Sequence, residues 1–222
     1  SGTYFQDMAD FHNLGYYKDA QGIYVNMYMP SVLQWKGPQG PVTFTQDTKY
    51  PDAENSVLTI KTATPSAFAI RFRIPEWTHG ASVNVNGAPA NVAAKPGTWA
   101  TVQRTWSDGD KVEVRIPLTL RMLPVDKWHP TRVAVVRGPV TMVLEGGYHD
   151  PRFRLPDTNE QLQHWLVAEP WQRASGVLTL TTEPEDQQVT VFKVALPDKG
   201  AVRSRFRPFY DVEEGYPYYM YF

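Results

Sequence analysis

From residue 22 onward, apolar and polar residues alternate with a period of two, which places successive side chains on opposite faces of a β-strand. The first run contains Ile23, Val25, Met27 and Met29. Short strands spaced about 8 to 12 residues apart and separated by turn signals are typical of an antiparallel sandwich. We therefore predict an all-β fold with an antiparallel β-sandwich, a second, smaller β-sandwich-like module and one N-terminal helix. The predicted sandwich strands are 42–48, 57–62, 67–74, 99–104, 112–116, 132–136 and 140–144.

The run 67–74 shows the alternation most clearly. Its apolar residues are predicted to face the core, namely Phe68, Ile70, Phe72 and Ile74. Arg71 and Arg73 alternate with them, so we expect both to face water and solvate the sheet. Further along, Asn86-Gly87 favours the positive φ values of a type I′ hairpin turn. The segment 107–110 predicts a second turn.

Residues 3–14 have a helical pattern that precedes the strands. Thr3 and Gln6 are spaced as in a capping box, and Gly15 suits a helix C-terminus. The apolar residues cover more than half of the helix circumference, and so broad a face needs several packing partners. We interpret 1–20 as a terminal helix that belongs to a helical domain lying upstream. A lone helix on a sheet fits the periodicity equally well.

The pattern loosens after residue 147, where prolines become frequent. A short helix is predicted at 159–165, and alternation returns at 176–182, 188–196, 204–210 and 216–222. We therefore predict a β-sandwich domain over 21–147 and a small C-terminal β module over 148–222.

Composition excludes several classes of protein. Hydrophobic residues make up 42% of the 222 residues and charged residues 20%, which is globular rather than disordered. The net charge is −1 and Lys and Arg occur singly, so we expect no nucleic-acid partner and no membrane partner. No apolar run approaches the ~20 residues of a membrane span. The sequence has no cysteine, which removes disulfides, thiolate nucleophiles and Cys-based metal sites.

Motifs for catalysis are missing from the sequence. There is no G-x-S-x-G elbow, and the five histidines lack metal-binding spacing. Glycoside hydrolysis needs two carboxyl groups about 5 to 9 Å apart, yet Asp108 and Asp110 flank Gly109 in a turn, where Asx side chains usually bond the local backbone. Glu76 and Glu145 end strands without a recognisable second carboxylate. We predict no catalytic residue and no metal ligand in this chain.

Aromatic residues are better candidates, because exposed rings stack on sugar faces. Trp77 and Trp106 lie at strand ends, where capping the core is the usual role. Trp128 and His129 stand in a loop with Lys and Pro, so we expect partial exposure and either a sugar contact or packing on a neighbouring domain. The same alternatives apply to later aromatics. The candidate carbohydrate-binding residues are therefore Trp128, His129, Trp165 and Trp171.

Several linked motifs over roughly 3–145 resemble one known family. They are Gly22 to Ser31 followed by Trp35, Arg71 to Trp77, Val83 to Gly87, Trp106 to Asp110, and Arg137-Gly138-Pro139. In order and spacing they resemble the C-terminal half of bacterial glycoside hydrolase family 127, the β-L-arabinofuranosidase-like proteins that were formerly a domain of unknown function. The ending, Arg207 to Tyr210 with Tyr218 to Phe222, is similar to a small accessory module at the end of many such proteins.

The resemblance implies an upstream (α/α)6 barrel that holds the active site, with a cysteine nucleophile on a zinc ion. Because this chain has no cysteine, none of those positions can be carried over, and zinc is expected only in the missing catalytic domain. Residues 3–14 would then be the final barrel helix. The resemblance favours a periplasmic or extracellular location and a parent that acts on arabinofuranosides or related plant glycans.

Three functions follow from these observations. In the first, the chain is a non-catalytic portion that packs on its own catalytic (α/α)6 barrel, stabilises it, and walls one side of the substrate cleft or forms a homodimer contact. In the second, it is a carbohydrate-binding module that holds an oligosaccharide through exposed aromatics. In the third, it is an independent enzyme, which the missing acid and base pair disfavours.

Overall fold

The structure is a computed structural model that describes residues 11–145, 154–172, 188–194, 205–212 and 215–222. The chain divides into two compact units, unit 1 over Ser1–Leu118 and unit 2 over Thr119–Phe222. Strands dominate both units and are mostly antiparallel, so the all-β prediction is confirmed. Within the described ranges, no helix is long and apolar enough to cross a membrane.

Unit 1 begins in the described residues with a short 3-10 helix, Phe11–Leu14, and continues as ten strands. The predicted helix over 3–14 otherwise lies outside the described residues. Strands β1 and β3 were not predicted, and β7 and β8 were implied only by the predicted turn at Asn86-Gly87. The strands are β1 (Tyr16–Lys18), β2 (Gly22–Val25), β3 (Ser31–Gly37), β4 (Gly40–Thr48), β5 (Asn55–Thr62), β6 (Ser66–Arg73), β7 (Ser82–Val85), β8 (Ala88–Pro89), β9 (Trp99–Trp106) and β10 (Lys111–Arg115).

These strands form two sheets that enclose one core. The four-stranded sheet has the order β1-β2-β6-β9, and the six-stranded sheet has the order β3-β4-β5-β10-β7-β8. Strands β2 and β6 pair in parallel. Phe44 of the larger sheet packs edge-on against Phe68 of the smaller one, with ring centroids 5.9 Å apart. All four predicted inward residues of 67–74 are buried, so this part of the sandwich prediction is confirmed.

Close backbone contact at Gly22 makes the parallel pairing possible. A Cβ at this position would lie 1.9 Å from the Ala69 carbonyl oxygen, so only glycine fits. On the far side of β6, Trp106 is fully buried and donates its Nε1–H to the Phe68 carbonyl at 3.0 Å. The predicted core-capping role of Trp106 is confirmed.

Arg71 corrects one prediction about the outer face of β6. It is 9% exposed rather than solvated, whereas Arg73 is exposed as expected. The turn between β1 and β2 folds over Arg71, whose guanidinium donates to Gln21 Oε1 at 2.6 Å and to Asp19 Oδ1 at 3.4 Å. Its Cζ also lies 4.6 Å from the ring centroid of Tyr24. The prediction of a solvating side chain is wrong for Arg71 because it pins this turn to the sheet.

The predicted turns have the expected chemistry. Asn86 and Gly87 have φ values of 51° and 82°, which a type I′ turn requires. In the second turn, Asp110 accepts a hydrogen bond from the Ser107 N–H at 2.9 Å, and Asp108 accepts one from the Thr62 N–H at 3.0 Å. Asp110 therefore bonds the local backbone, as the turn interpretation predicted, whereas Asp108 bonds the backbone of β5, which is distant in sequence.

In its described residues, unit 2 consists of one seven-stranded sheet and one α-helix. The predicted helix at 159–165 is confirmed as α1, and Thr158 with Gln161 forms its capping box. The predicted strand at 176–182 lies outside the described residues. The elements are β11 (Leu120–Pro124), β12 (Val133–Arg137), β13 (Val140–Glu145), α1 (Asn159–Trp165), β14 (Leu166–Gln172), β15 (Gln188–Val194), β16 (Arg205–Pro208) and β17 (Tyr218–Tyr219).

The division between the units falls earlier than the predicted boundary after residue 147. Strand β13 pairs with β12 on one side and with β16 on the other, in the order β11-β12-β13-β16-β15-β14, while β17 pairs with the end of β13. Strands β11 to β13 therefore belong to the second sheet. The loosened sequence after 147 lies between two of its strands.

Candidate functional site

Trp128 lies in the hairpin loop that joins β11 to β12. The loop is closed by a backbone hydrogen bond from the Val125 N–H to the Arg132 carbonyl at 2.9 Å. Inside it, the Asp126 carboxylate accepts hydrogen bonds from the backbone N–H groups of Trp128 at 2.7 Å and His129 at 2.8 Å. Trp128 is 76% exposed, so the predicted exposure of this ring is confirmed. An ordered loop thus presents a large aromatic surface to solvent.

Electrostatic contacts reinforce the loop. His129 Nδ1 lies 2.9 Å from Asp126 Oδ2, and this side-chain hydrogen bond is the main reason that the pKa of Asp126 falls below its usual value. The Lys127 Nζ lies 4.6 Å from the Trp128 ring centroid, within cation–π range. His129 therefore orients the loop carboxylate, and one face of the Trp128 ring meets a cation.

The other predicted aromatic residues lie elsewhere in unit 2. Trp165, at the end of α1, is half-buried against the unit 2 core, with its ring centroid 6.3 Å from that of Phe206. Trp171 is in β14, where its backbone pairs with Val189, and its side chain lies outside the described part of the chain. The loop brings Trp128 and His129 together, whereas Trp165 contributes to the hydrophobic core.

Beside the Trp128 loop, unit 2 contains an open cleft of about 700 Å³. Pro130 and Thr131, which follow His129 in the loop, form part of its wall. The remaining lining comes from β11, the start of β12, the segment 154–159 and Phe222. The sequence prediction missed this cleft, since its walls are far apart in sequence and no local motif marks them.

Hydrogen bonds hold the walls of the cleft in place. Asn159, the first residue of α1, accepts a hydrogen bond from the Met122 N–H of β11 at 2.7 Å. Phe222 and Val133 exchange two backbone hydrogen bonds, both of 3.0 Å. The Phe222 ring packs against Phe206, with centroids 5.6 Å apart. Each wall is therefore tied to the sheet of unit 2.

The two strand-end carboxylates considered from the sequence, Glu76 and Glu145, lie in different units. Glu76 is exposed in the segment that follows β6, and Glu145 at the end of β13 forms ion pairs with Arg207 and Arg205. The described ranges contain no group of three or more His, Cys, Asp or Glu residues placed to hold a metal ion. The chain also has no cysteine, so its residues do not fit the cysteine-bound zinc that the resemblance implies upstream.

Comparison with known families identifies unit 1. Residues 22–118 match the family model described as "Beta-L-arabinofuranosidase, GH127 middle domain". Unit 1 is similar to the GH127 middle domain. The match ends at Leu118, which is also the last residue of unit 1. The recognition of glycoside hydrolase family 127 from the linked motifs is confirmed for this GH127 middle domain.

Solved structures show that the fold continues through unit 2. A GH127 β-L-arabinofuranosidase from Geobacillus stearothermophilus T6 matches 99% of this chain with a TM-score of 0.74 at 21% identity. A protein described as "Glycoside hydrolase" matches 93% with a TM-score of 0.69 at 23% identity. A second GH127 β-arabinofuranosidase matches 90% with a TM-score of 0.60 at 21% identity. No curated protein matches the sequence.

This chain spans about a third of the solved structures that it matches. The shares are 36% of the Geobacillus enzyme, 36% of the glycoside hydrolase and 34% of the third protein. The GH127 middle domain and unit 2 thus correspond to one portion of longer proteins. At these identities the likeness establishes the fold alone.

Proposed function

We propose that this chain is the non-catalytic C-terminal portion of a GH127-like glycoside hydrolase that acts on arabinofuranosides or related plant glycans. The observation that carries the proposal is the match of 90% to 99% of this chain to about a third of each of two solved GH127 arabinofuranosidases, with the GH127 middle-domain match in unit 1. Catalysis in such a protein would reside in the remaining two thirds.

Its role in this proposal is to pack on a catalytic (α/α)6 barrel and stabilise it. The absence of cysteine supports this division of labour, because a cysteine nucleophile on zinc would have to lie in the barrel. A companion surface of this kind could also serve a homodimer contact. A periplasmic or extracellular location is part of the same proposal, since plant glycans are extracellular substrates.

The supporting role can be tested by truncation of the Geobacillus enzyme. We expect that removing the third that corresponds to this chain lowers the melting temperature of the remaining barrel or makes it insoluble, because apolar barrel surface loses its cover. As a control, a single exposed substitution in the same third should leave the melting temperature unchanged. A truncated barrel that keeps the melting temperature and the turnover of the full enzyme would refute the stabilising role.

A carbohydrate-binding module is the second candidate function, and the exposure of Trp128 favours it. A ring that is 76% exposed on an ordered loop can stack on the apolar face of a sugar. Binding of oligosaccharides to the intact chain, compared with a Trp128→Ala variant, tests it. Saturable binding that the variant loses supports this function, and binding that the variant keeps would remove Trp128 from the site.

A further inference from the structure

We propose that the cleft of unit 2 is a binding site for a neutral oligosaccharide. This inference rests on the carbohydrate-binding function given above as the second candidate, and it assigns recognition to residues that the sequence motifs did not mark. The cleft and the Trp128 ring share the loop between β11 and β12, because Pro130 and Thr131 of that loop line the cleft.

The size of the cleft suits a small ligand. Its volume of about 700 Å³ lies within the range of roughly 300 to 1,000 Å³ that is usual for ligand sites. Four separate stretches of the chain converge on it, namely β11, the loop with the start of β12, residues 154–159 and Phe222. A site built from several tethered segments can contact a ligand from more than one side.

Phe222 gives the cleft an aromatic surface whose position is already fixed. Its backbone is held by the two hydrogen bonds to Val133, and its ring packs on Phe206 while remaining partly exposed. The C–H face of a sugar ring can pack on such an aromatic ring. Because Phe222 is ordered before a ligand arrives, binding does not have to immobilise it.

A sugar also needs hydrogen-bonding partners for its hydroxyl groups, and the cleft has polar residues that can supply them. Arg154 and Asp157 are exposed residues that line the cleft, and Thr131 adds a hydroxyl group. A guanidinium only donates and an ionised carboxylate only accepts, while each sugar hydroxyl does both. Arg154 can therefore donate to a sugar hydroxyl and Asp157 can accept from one, and charged partners make such bonds stronger.

The segment that carries these groups is positioned by its own hydrogen bonds. The Asp157 N–H donates to Gln161 Oε1 at 3.0 Å, and Thr158 caps α1. Asn159 ties the first turn of the helix to Met122. Asp157 thus belongs to a segment that is anchored to both α1 and β11.

The charge of the lining favours an uncharged ligand. Arg154 and Asp157 are the two charged residues among those that line the cleft, and their formal charges cancel. A uronate or a phosphate would meet the Asp157 carboxylate as well as the guanidinium, so like-charge repulsion offsets the attraction. The remaining lining is apolar or neutral, including Met122, Leu155 and Phe222.

Calorimetric titration of the intact chain with neutral arabino-oligosaccharides and, separately, with oligogalacturonides tests the proposal. We expect saturable binding of the neutral ligand, weakened about tenfold or more by Arg154→Ala and by Asp157→Ala, since each removes a charged hydrogen-bonding group. The matched controls are Arg73→Ala and Asp47→Ala, which change exposed residues of unit 1. Both control variants should bind the oligosaccharide as tightly as the wild type. Thermal melts of every variant establish that the fold is intact.

Each alternative outcome separates the two proposals. Neutral binding that Trp128→Ala abolishes and both cleft variants retain would overturn the cleft assignment while leaving the carbohydrate-binding function in place. Tighter binding of oligogalacturonides would overturn the neutral ligand. If no oligosaccharide binds saturably, both the cleft site and the carbohydrate-binding function fail, and the non-catalytic companion role is unaffected.

Discussion

The cores of the two units are held together by different interactions. In unit 1, aromatic rings from both sheets interlock, with Phe44, Phe68, Phe72 and Trp106 all buried. In the described part of unit 2, a smaller apolar cluster around Phe206 lies in the same sheet as a chain of ion pairs. There Arg207 contacts Glu145 and lies 3.9 Å from Asp211, and Arg205 lies 3.7 Å from Glu145.

This difference makes the two units sensitive to different changes. Apolar packing is non-directional and scales with buried area, so the aromatic core of unit 1 should be insensitive to the screening of charges by salt. Buried ion pairs contribute little net stability when intact but are costly to break, because one charge is left uncompensated. Unit 2 should therefore respond most strongly to the loss of single charges. The following variants test this contrast from the largest expected effect to the smallest.

Truncation of the Trp106 side chain should cause the largest loss of stability. Trp106→Ala removes a fully buried indole and its hydrogen bond to the Phe68 carbonyl, so we expect the free energy of unfolding of unit 1 to fall by about 4 kcal/mol. Trp99→Ala is the matched control, because Trp99 is 37% exposed. This variant should lose far less free energy of unfolding than Trp106→Ala. Urea unfolding with peptide-resolved hydrogen exchange assigns the loss to a unit. Equal losses for the two variants would contradict the packing described for unit 1.

A methyl group at Gly22 should have the next largest effect. In Gly22→Ala the new Cβ meets the Ala69 carbonyl oxygen, so β2 must move away from β6, and we expect a loss of about 3 kcal/mol. Gly109→Ala is the control, since its positive φ costs about 1 kcal/mol but no atom lies within 4 Å of the new Cβ. Thermal unfolding of both variants measures the difference, and a Gly22→Ala protein as stable as Gly109→Ala would refute the close parallel pairing.

Neutralising one carboxylate should destabilise unit 2 but not unit 1. Glu145→Gln leaves Arg207 with Asp211 as its remaining acidic partner, so we expect a loss of about 2 kcal/mol. Glu160→Gln, an exposed change on α1, should shift stability by less than about 0.5 kcal/mol. The hydrogen-exchange experiment again localises the loss. Protection lost in unit 1 instead would break the contrast between the units.

Two arginines on one strand give a sharper test of the turn over β6. Arg71→Ala removes the contacts to Gln21, Asp19 and Tyr24, and we expect a loss of about 1.5 kcal/mol. Arg73→Ala changes an exposed side chain and should cost less than about 0.5 kcal/mol. Chemical denaturation compares them directly. Similar losses of unfolding free energy in the two variants would mean that Arg71 only solvates the sheet, as the alternation predicted.

The smallest effect concerns acid stability of the hairpin at Asp110. Burial raises the pKa of Asp110, but hydrogen bonds from the Ser107 N–H and the Asn86 amide, with the charge of Arg104, outweigh it and hold the pKa below its usual value. A depressed carboxyl pKa stabilises the fold above the unfolded value of about 3.9 and loses that contribution as pH falls through the folded value. Unfolding between pH 2 and 5 should therefore be less pH-dependent in Asp110→Asn than in Asp47→Asn. An equal dependence in both variants would contradict the assignment.

Most strands of unit 1 could be predicted from the sequence because apolar and polar residues alternate along them, which distinguishes the buried face from the exposed face. The alternation at Phe68, Ile70 and Phe72 is strict, and a buried face of this kind allows one register. The burial of Arg71 could not be predicted from alternation. It depends on the parallel pairing of β2 with β6, which places the β1–β2 turn over the Arg71 side chain. Alternation shows which way a side chain points, and tertiary contacts decide whether anything covers it.

Long-range pairing also explains what was missed in unit 2. The boundary between the units depends on the pairing of β13 with β16, which are more than 60 residues apart and carry no local mark of their partnership. The cleft likewise needs Arg154, Asp157 and Phe222 to meet in space. Trp128 was found from sequence because a tryptophan in a polar loop is conspicuous by itself.

Hydrolysis of arabinofuranosides by the intact chain tests the central claim most directly. The chain would be incubated with chromogenic α- and β-L-arabinofuranosides, with and without added zinc, beside a full-length GH127 β-L-arabinofuranosidase as the positive control. We expect no product above the buffer blank in either condition, because our proposal assigns catalysis to the two thirds of GH127 proteins that this chain does not match. Turnover that scales with the concentration of this chain and survives repurification would contradict it.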